Sequence, residues 1–210
     1  MAAKSESLLG FLHFERLHCI LFCVLPYLHY LCRTNNGCAR VMNIVNIDEA
    51  KVREAAKAGM DEFVDLFANS AIDSVGGSLT DETMAKFNSD QMTLIAFKFL
   101  HDEVMDGGFV QLIYNGFGPF IFFNPFAKAV REWGLDDLAA LVNKAGKLFR
   151  KYGREIQREC SDEEFMAMFE QYPEFDDLDD KFVENEELWV EEIAHYIDEH
   201  IDRFAEIVHQ

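Results

Sequence analysis

Apolar residues recur at intervals of three and four positions through three long segments of this chain, and this spacing is that of one face of an α-helix. The segments cover residues 47–67, 135–158 and 178–208. In the middle segment the recurring residues are Leu138, Leu141, Val142, Ala145, Leu148, Phe149, Tyr152 and Ile156. No segment shows the sustained alternation of apolar and polar residues that is typical of a half-buried strand. The pattern predicts an all-α fold: a single compact helical domain with an acidic C-terminal helical segment.

Local signals indicate where several helices begin and end. Ser89 is a suitable N-cap for a long apolar helix, which we expect the pair Gly107–Gly108 to terminate. Ser161 and Glu164 have the spacing of a capping box and predict the start of another helix. In the last segment we expect an amphipathic helix that is interrupted near Asn185.

Charge is distributed unevenly along the 210 residues, whose formal net charge is −19. Residues 159–210 hold 19 acidic side chains against only Lys181 and Arg203, a balance of −17. This balance argues against direct binding to nucleic acid or to an anionic membrane, and it favours a basic partner. The 135–158 segment instead has a basic polar side, which could pair with part of the acidic region: Lys144, Lys147, Arg150, Lys151, Arg154 and Arg158.

Residues 1–41 differ from the rest of the chain in charge and cysteine content. Four of the five cysteines lie here, at Cys19, Cys23, Cys32 and Cys38. The apolar run at 17–32 is shorter than the roughly 18–20 residues of a spanning helix and contains Pro26. We interpret residues 1–41 as a leader outside the native protein, with translation beginning at Met42. A membrane anchor or signal sequence is the main alternative, and a zinc site at Cys19, Cys23, His29 and Cys32 is a weaker one.

The remaining part, residues 42–210, contains a single cysteine, Cys160. A lone thiol fits a reducing compartment and no disulfide framework. We therefore expect residues 42–210 to form one helical domain in the cytoplasm, with no membrane association and with its acidic region at residues 159–210.

Residues that could carry catalysis or bind a metal are few. Glu192 and His195 resemble half of a carboxylate-bridged metal site, but the second such pair is missing. The run of aspartates at 176–180 lacks the spacing and central glycine of a calcium loop. No phosphate-binding or nucleophile motif is present. We predict no catalytic residue, metal or cofactor; an uncharacterised enzyme remains an alternative, with His195, Glu192 and His101 as its only candidate residues.

Residues 106–126 read DGGFVQLIYNGFGPFIFFNPF and contain six of the 20 phenylalanines. The third glycine and the preceding strand of a dinucleotide-binding fingerprint are missing. Aromatic clusters usually pack together inside a protein. The stretch is therefore predicted to lie in the core, with its glycines permitting close turns.

The same stretch resembles the signature of the bacterial DNA-mimic protein family of DMP type, otherwise described as a domain of unknown function. The matching residues are Gly107, Gly108, Phe109, Gln111, Tyr114, Asn115 and Gly118. The similarity covers roughly residues 90–170, with an acidic helical continuation, and it weakens in the phenylalanine-rich part after Gly118. The resemblance implies an α-helical, acidic, cytosolic protein in a family named for imitating DNA at a transcription factor's DNA-binding surface. We interpret the signature itself as structural.

The acidic region carries enough charge for such imitation. Duplex DNA has about one negative charge per 1.7 Å of its axis, and two adjacent helices built from residues 159–210 would reach roughly one per 2 Å. We predict a protein that binds the basic, nucleic-acid-binding surface of a partner such as a DNA-binding transcription factor. The expected contacts are Asp176, Asp177, Asp179, Asp180, Glu184, Glu186, Glu187, Glu191 and Glu192. An immunity or antitoxin protein that neutralises a basic toxin is the alternative, and a homodimer is left open.

Overall fold

The computed structural model describes residues 44–209. The interpreted leader at 1–41 and the start at Met42 lie outside these residues. The helices are α1 Glu49–Ala58, α2 Met60–Asp73, α3 Asp81–Met84, α4 Ser89–Tyr114, α5 Gly118–Phe122, α6 Phe126–Glu132, α7 Asp136–Ile156, α8 Asp162–Gln171, α9 Asp176–Glu199 and α10 Ile201–Phe204. A 3-10 turn, Pro173–Phe175, precedes α9, and the strands are β1 Asn46–Asp48 and β2 Glu206–Val208. The all-α prediction is confirmed.

The two strands pair in parallel and join the two ends of the described chain. Asn46 lies opposite Glu206, and Asp48 lies opposite Val208. Val45, immediately before β1, is buried and accepts a hydrogen bond from the Glu206 amide at 2.8 Å. Each strand has three residues. A strand this short shows too little alternation to be recognised in the sequence.

Helix α4 occupies the centre of the fold, and most of its side chains are buried. Its N-cap is Asn88 rather than Ser89, and Asn88 forms a capping box with Gln91. The amides of these two side chains also donate to carbonyl oxygens at the far end of the chain. Asn88 Nδ2 lies 2.6 Å from Arg203 O, and Gln91 Nε2 lies 2.9 Å from Phe204 O. The cap therefore ties the start of α4 to α10.

The glycine pair bends α4 instead of ending it. Gly108 has φ +69°, in the left-handed region, and Gly107 is also non-helical. The chain returns to helical geometry at Phe109 and continues to Tyr114. The helix was predicted to end at these glycines; the backbone does leave helical geometry there, but a helix resumes directly after them.

The helices at the C-terminal side agree in part with the sequence. The capping box at Ser161 and Glu164 is confirmed at the start of α8. Helix α9 runs without a break through Asn185, whose side chain donates to the Lys181 carbonyl at 2.8 Å within the helix. The expected interruption there is wrong. The helix ends instead at Glu199, and a bend at His200 separates it from α10.

The phenylalanine-rich stretch forms part of the core, as predicted. Phe109 is fully buried and lies 6.3–6.5 Å, between ring centroids, from Phe122, Phe175 and Phe182. These contacts join α4, α5 and α9 at the bend. Phe123 is the exception, since 44% of it is exposed.

Truncation of Phe109 should test this description of the core. We expect Phe109→Ala to lower the free energy of unfolding by about 3–5 kcal/mol, because it leaves a cavity among packed rings. Phe123→Ala is the matched control and should cost less than about 1 kcal/mol. Urea unfolding followed by circular dichroism measures both. Equal losses in the two variants would contradict the assignment of Phe109 to the core.

Candidate partner-binding surface

One face of α9 carries a continuous row of exposed carboxylates, which we name the acidic stripe. Its members are Asp176, Asp177, Asp180, Glu184, Glu187, Glu191 and Asp198. At about 100° per residue, these seven positions fall within an arc of about 100°. The opposite face of α9 is buried and contains Leu178, Phe182, Trp189, Val190, Ile193 and Ile197, while Ala194 is buried at the edge of the arc, between Glu191 and Asp198. Burial of that apolar face fixes the rotation of the helix and turns the stripe to solvent.

The structure divides the nine predicted contact residues into two groups. Asp176, Asp177, Asp180, Glu184, Glu187, Glu191 and Glu192 are exposed. Glu192 lies beside the stripe, about 60° beyond its edge. Asp179 and Glu186 are half-buried and turn towards α4. Asp198 belongs to the stripe although it was not predicted; its position seven residues after Glu191 on an amphipathic helix is the signal that could have identified it.

Asp179 accepts a hydrogen bond from the backbone at the bend of α4. The Phe109 amide donates to Asp179 Oδ1 at 2.8 Å. Burial raises the pKa of Asp179 to about 6, while this hydrogen bond acts in the opposite direction. The same carboxylate packs on Gly108, where an added Cβ would lie 2.5 Å from its Oδ2. Asp179 therefore holds α9 against the bend.

Glu186 belongs to a network of charges between α2, α4 and α9. Its Oε1 lies 2.7 Å from His101 Nε2, and His101 Nδ1 lies 3.5 Å from Asp102. The hydrogen bond with Asp102, and then that with Glu186, raises the pKa of His101. Lys98 joins Asp102 to Asp65 at distances of 3.0 and 2.9 Å. Lys98 and His101 thus pair with these carboxylates, whereas the stripe has only the contact between Glu191 and His195, at 3.8 Å, within residues 44–209.

The signature residues build the bend and the structure around it. Gln111 Nε2 donates to Asp106 at 2.7 Å, and Asn115 Nδ2 donates to Glu103 Oε2 at 2.7 Å. Both contacts reach back across the glycine pair to the first part of α4. Burial raises the pKa of Glu103, although the two amide donors lower it. We name these four side chains, together with Gly107–Gly108, the kink clamp.

The remaining signature positions pack against neighbouring helices. The Tyr114 ring lies 4.4 Å from that of Phe165, between centroids. An added Cβ at Gly118 would lie 2.5 Å from the Phe149 ring. The signature thus coincides with the bend and its packing, away from the outer face of α9.

The basic side of α7 is separate from the acidic stripe. Its five bases, and Arg158 just beyond the end of the helix, are exposed. Within residues 44–209, Lys151 is the only one of the six with a carboxylate within 4.0 Å, namely Glu174 at 3.6 Å. Intramolecular pairing therefore neutralises little of the acidic region.

The candidate catalytic residues do not come together. His195 is exposed and faces Glu191 at 3.8 Å rather than Glu192, whereas His101 lies in the charge network. Across residues 44–209, no group of three metal-ligating side chains is suitably placed to hold an ion. None of the helices described in that range is long and apolar enough to cross a membrane.

A family profile described as "DMP19-like protein" matches residues 85–200 of this chain. The chain belongs to the DMP19-like protein family. It is also 34% identical over 128 residues to the DNA mimic protein DMP19 of Neisseria meningitidis serogroup B. That alignment covers 60% of this chain and 78% of the relative. The predicted family resemblance is confirmed.

The match to the DMP19-like family extends further than the sequence resemblance suggested. Residues 85–200 include α9 and the whole acidic stripe as well as the kink clamp. The acidic stripe and the kink clamp therefore both lie within the residues that match the family. Asp179 joins α9 to the bend of α4 through its hydrogen bond with the Phe109 amide.

Substitution of Gly108 should test the geometry of the kink clamp. Gly108→Ala forces a side chain into the left-handed region and against the Asp179 carboxylate, so we expect a loss of about 3 kcal/mol. Gly116 has φ +90° and open space around its Cα, so Gly116→Ala should cost only about 1–2 kcal/mol. Urea unfolding compares the two. Equal costs would show that contact with Asp179 adds nothing to backbone strain.

Replacement of Asp179 should change how stability depends on pH. Its pKa in the folded protein, about 6, is above the ordinary value of 3.8. The folded state therefore binds more protons between these values, and its stability falls as pH rises through that window. Asp179→Asn removes this titration and keeps an oxygen that can accept the Phe109 amide.

We expect the stability of the parent chain relative to Asp179→Asn to fall by an amount on the order of 2 kcal/mol between pH 4 and pH 7. Urea unfolding at a series of pH values measures it, with the exposed residue Asp177, as Asp177→Asn, for the control. A constant difference across the range would contradict the burial of a titrating carboxylate.

Proposed function

We propose that this chain binds a DNA-binding protein in the place of DNA and that the acidic stripe is the contact surface. The observation that carries the proposal is the row of seven exposed carboxylates on α9, whose arc contains no lysine or arginine and only His195 as a basic side chain. The relative from Neisseria meningitidis is named as a DNA mimic, and membership of the same family supports this function. It also supports a binding role rather than catalysis.

The charge spacing of the stripe suits a single DNA strand. From Asp176 to Asp198 the helix rises about 33 Å, which gives about one carboxylate per 5 Å. One DNA strand carries about one phosphate per 3.4 Å of axis. The stripe thus supplies roughly two thirds of the linear charge of a strand. This is less than two adjacent acidic helices would give, because α9 packs on α2, α4 and α7 rather than along α8.

Helix α2 adds further acidic side chains close to α9. Asp61, Glu62 and Asp65 are exposed on α2. Burial, followed by the charge of Glu186, raises the pKa of Asp61, so the two helices share one negative region. A basic surface that approaches α9 would meet this second group of carboxylates, which makes the target a broad surface rather than a single basic helix.

The proposed partner is a basic DNA-binding protein in the cytoplasm. Association of oppositely charged surfaces is fast and sensitive to salt. To identify the partner, the full chain is immobilised, exposed to nuclease-treated lysate and eluted with increasing salt. The purified candidate is then loaded with its duplex, and the chain should displace the DNA. Recovery of a basic toxin that binds no DNA would support an antitoxin role instead.

Partial neutralisation of the stripe should weaken this displacement. We expect the combined variant Asp180→Asn, Glu184→Gln, Glu187→Gln and Glu191→Gln to bind roughly 10- to 100-fold more weakly, since each exposed ion pair contributes about 0.2–1 kcal/mol. It leaves Asp176 and Asp177, which favour the helix N-terminus, unchanged. Titration calorimetry measures affinity, and circular dichroism checks helicity.

The matched control removes four exposed acids elsewhere, with the same change in net charge. It combines Glu54→Gln, Asp73→Asn, Glu159→Gln and Glu170→Gln. We expect nearly unchanged affinity, because these positions lie outside the stripe. Equal weakening by both variants would mean that net charge alone attracts the partner, and the stripe would not be the site.

A further inference from the structure

Two apolar side chains border the acidic stripe and remain exposed. Leu188 is 52% exposed and Val183 is 57% exposed, and both lie on α9. At about 100° per residue, each lies about 20° outside the stripe, on opposite edges. Neither is part of the hydrophobic core. The surface around the acidic stripe therefore presents apolar groups as well as carboxylates.

The sequence surrounds Leu188 with carboxylates. Residues three and four positions apart are neighbours on a helix surface. Glu184, Glu191 and Glu192 occupy such positions around Leu188, and Glu187 directly precedes it. Val183 similarly has Asp180 and Glu187 as neighbours at these spacings. Each apolar group is thus presented within a negatively charged surface.

DNA presents the same combination of chemical groups to a protein that reads its major groove. Phosphates supply charge and most of the affinity, while base edges supply specificity. The C5-methyl group of thymine is the apolar feature of the major groove, and protein side chains make apolar contacts with it. Val183 and Leu188 are separated by about 7.5 Å along the helix axis and by about 140° around it, so the two apolar groups flank the carboxylates on opposite sides.

The geometry points to Leu188 and Val183 as stand-ins for thymine methyl groups, which would select a partner that reads the major groove. This inference rests on the proposed function, because the carboxylates must first occupy the phosphate-binding positions of the partner. A surface that only neutralised basic charge would bind many cationic proteins. Apolar groups at fixed positions among the carboxylates would favour a partner whose basic surface also carries apolar side chains.

The test separates ionic from apolar contributions through their salt dependence. The double variant Leu188→Gln and Val183→Thr keeps every charge, and Leu188→Met keeps an apolar group of similar volume. Met166→Gln is the control, because Met166 is 64% exposed on α8, away from the stripe. A second charge variant combines Glu184→Gln and Glu191→Gln. The probes are the purified DNA-binding protein recovered by salt elution, and polylysine, which is cationic throughout.

We expect the Leu188 and Val183 double variant to bind the DNA-binding protein roughly 5- to 20-fold more weakly, with an unchanged slope of log affinity against log salt. The Leu188→Met and Met166→Gln variants should bind like the parent chain. The two-glutamine variant should reduce the salt slope with both probes. Polylysine should bind the double variant and the parent chain equally.

Several results would overturn the inference. Unchanged affinity of the double variant for the DNA-binding protein would show that the partner reads charge alone, and the proposed function would stand without the methyl mimicry. Equal weakening with both probes would show a general defect of α9. If the parent chain displaces no DNA from any recovered protein, the proposed function fails and this inference fails with it.

Discussion

A single hydrogen bond from a backbone amide to a side-chain carboxylate fixes the start of α9 against the bend of α4. The glycine pair breaks the hydrogen-bond ladder of α4, so the Phe109 amide at the bend needs another acceptor. Asp179 supplies it at 2.8 Å. Because Asp179 lies in the first turn of α9, this bond positions the start of the helix that carries the acidic stripe. Loss of the bond would leave a buried amide unpaired and the helix start unanchored.

The carboxylates of α9 lie in two different environments, and their positions around the helix axis separate them. Asp179 and Glu186 are seven positions apart and share a side of the helix with the apolar face. They face the Phe109 amide and the His101 imidazole. The stripe residues lie on the other side, where repulsion among them is reduced by solvent. Composition alone therefore overstates the charge that is available to a partner.

Helical periodicity was sufficient to predict the fold class, the Ser161–Glu164 spacing predicted the capping box, and the cluster of aromatic residues predicted burial around Phe109. These signals could not show the three-residue strands, which form because distant ends of the chain meet. The inward direction of Asp179 and Glu186 could have been predicted from the sequence. Viewed along the axis of α9, both side chains lie at angles between those of Phe182 and Val190, on the buried side of the helix. The nine predicted contact residues share their charge but not their position around the helix axis. The role of Gly108 as a contact for Asp179 depends on tertiary packing and has no local signal.

Because β1 and β2 pair with each other, the elements of this fold can be connected in a different order along the chain. This pairing places the last strand of the described residues beside the first, with both running in the same direction, while the loop at Gly76–Gly77 is exposed and follows α2. A linker that runs from the end of β2 back along the strand pair to the start of β1, with the chain opened at that loop, would give a circular permutant that keeps α4, the bend and α9 contiguous. In such a molecule α9 would lie near the middle of the sequence, and both new ends would lie in the loop that follows α2.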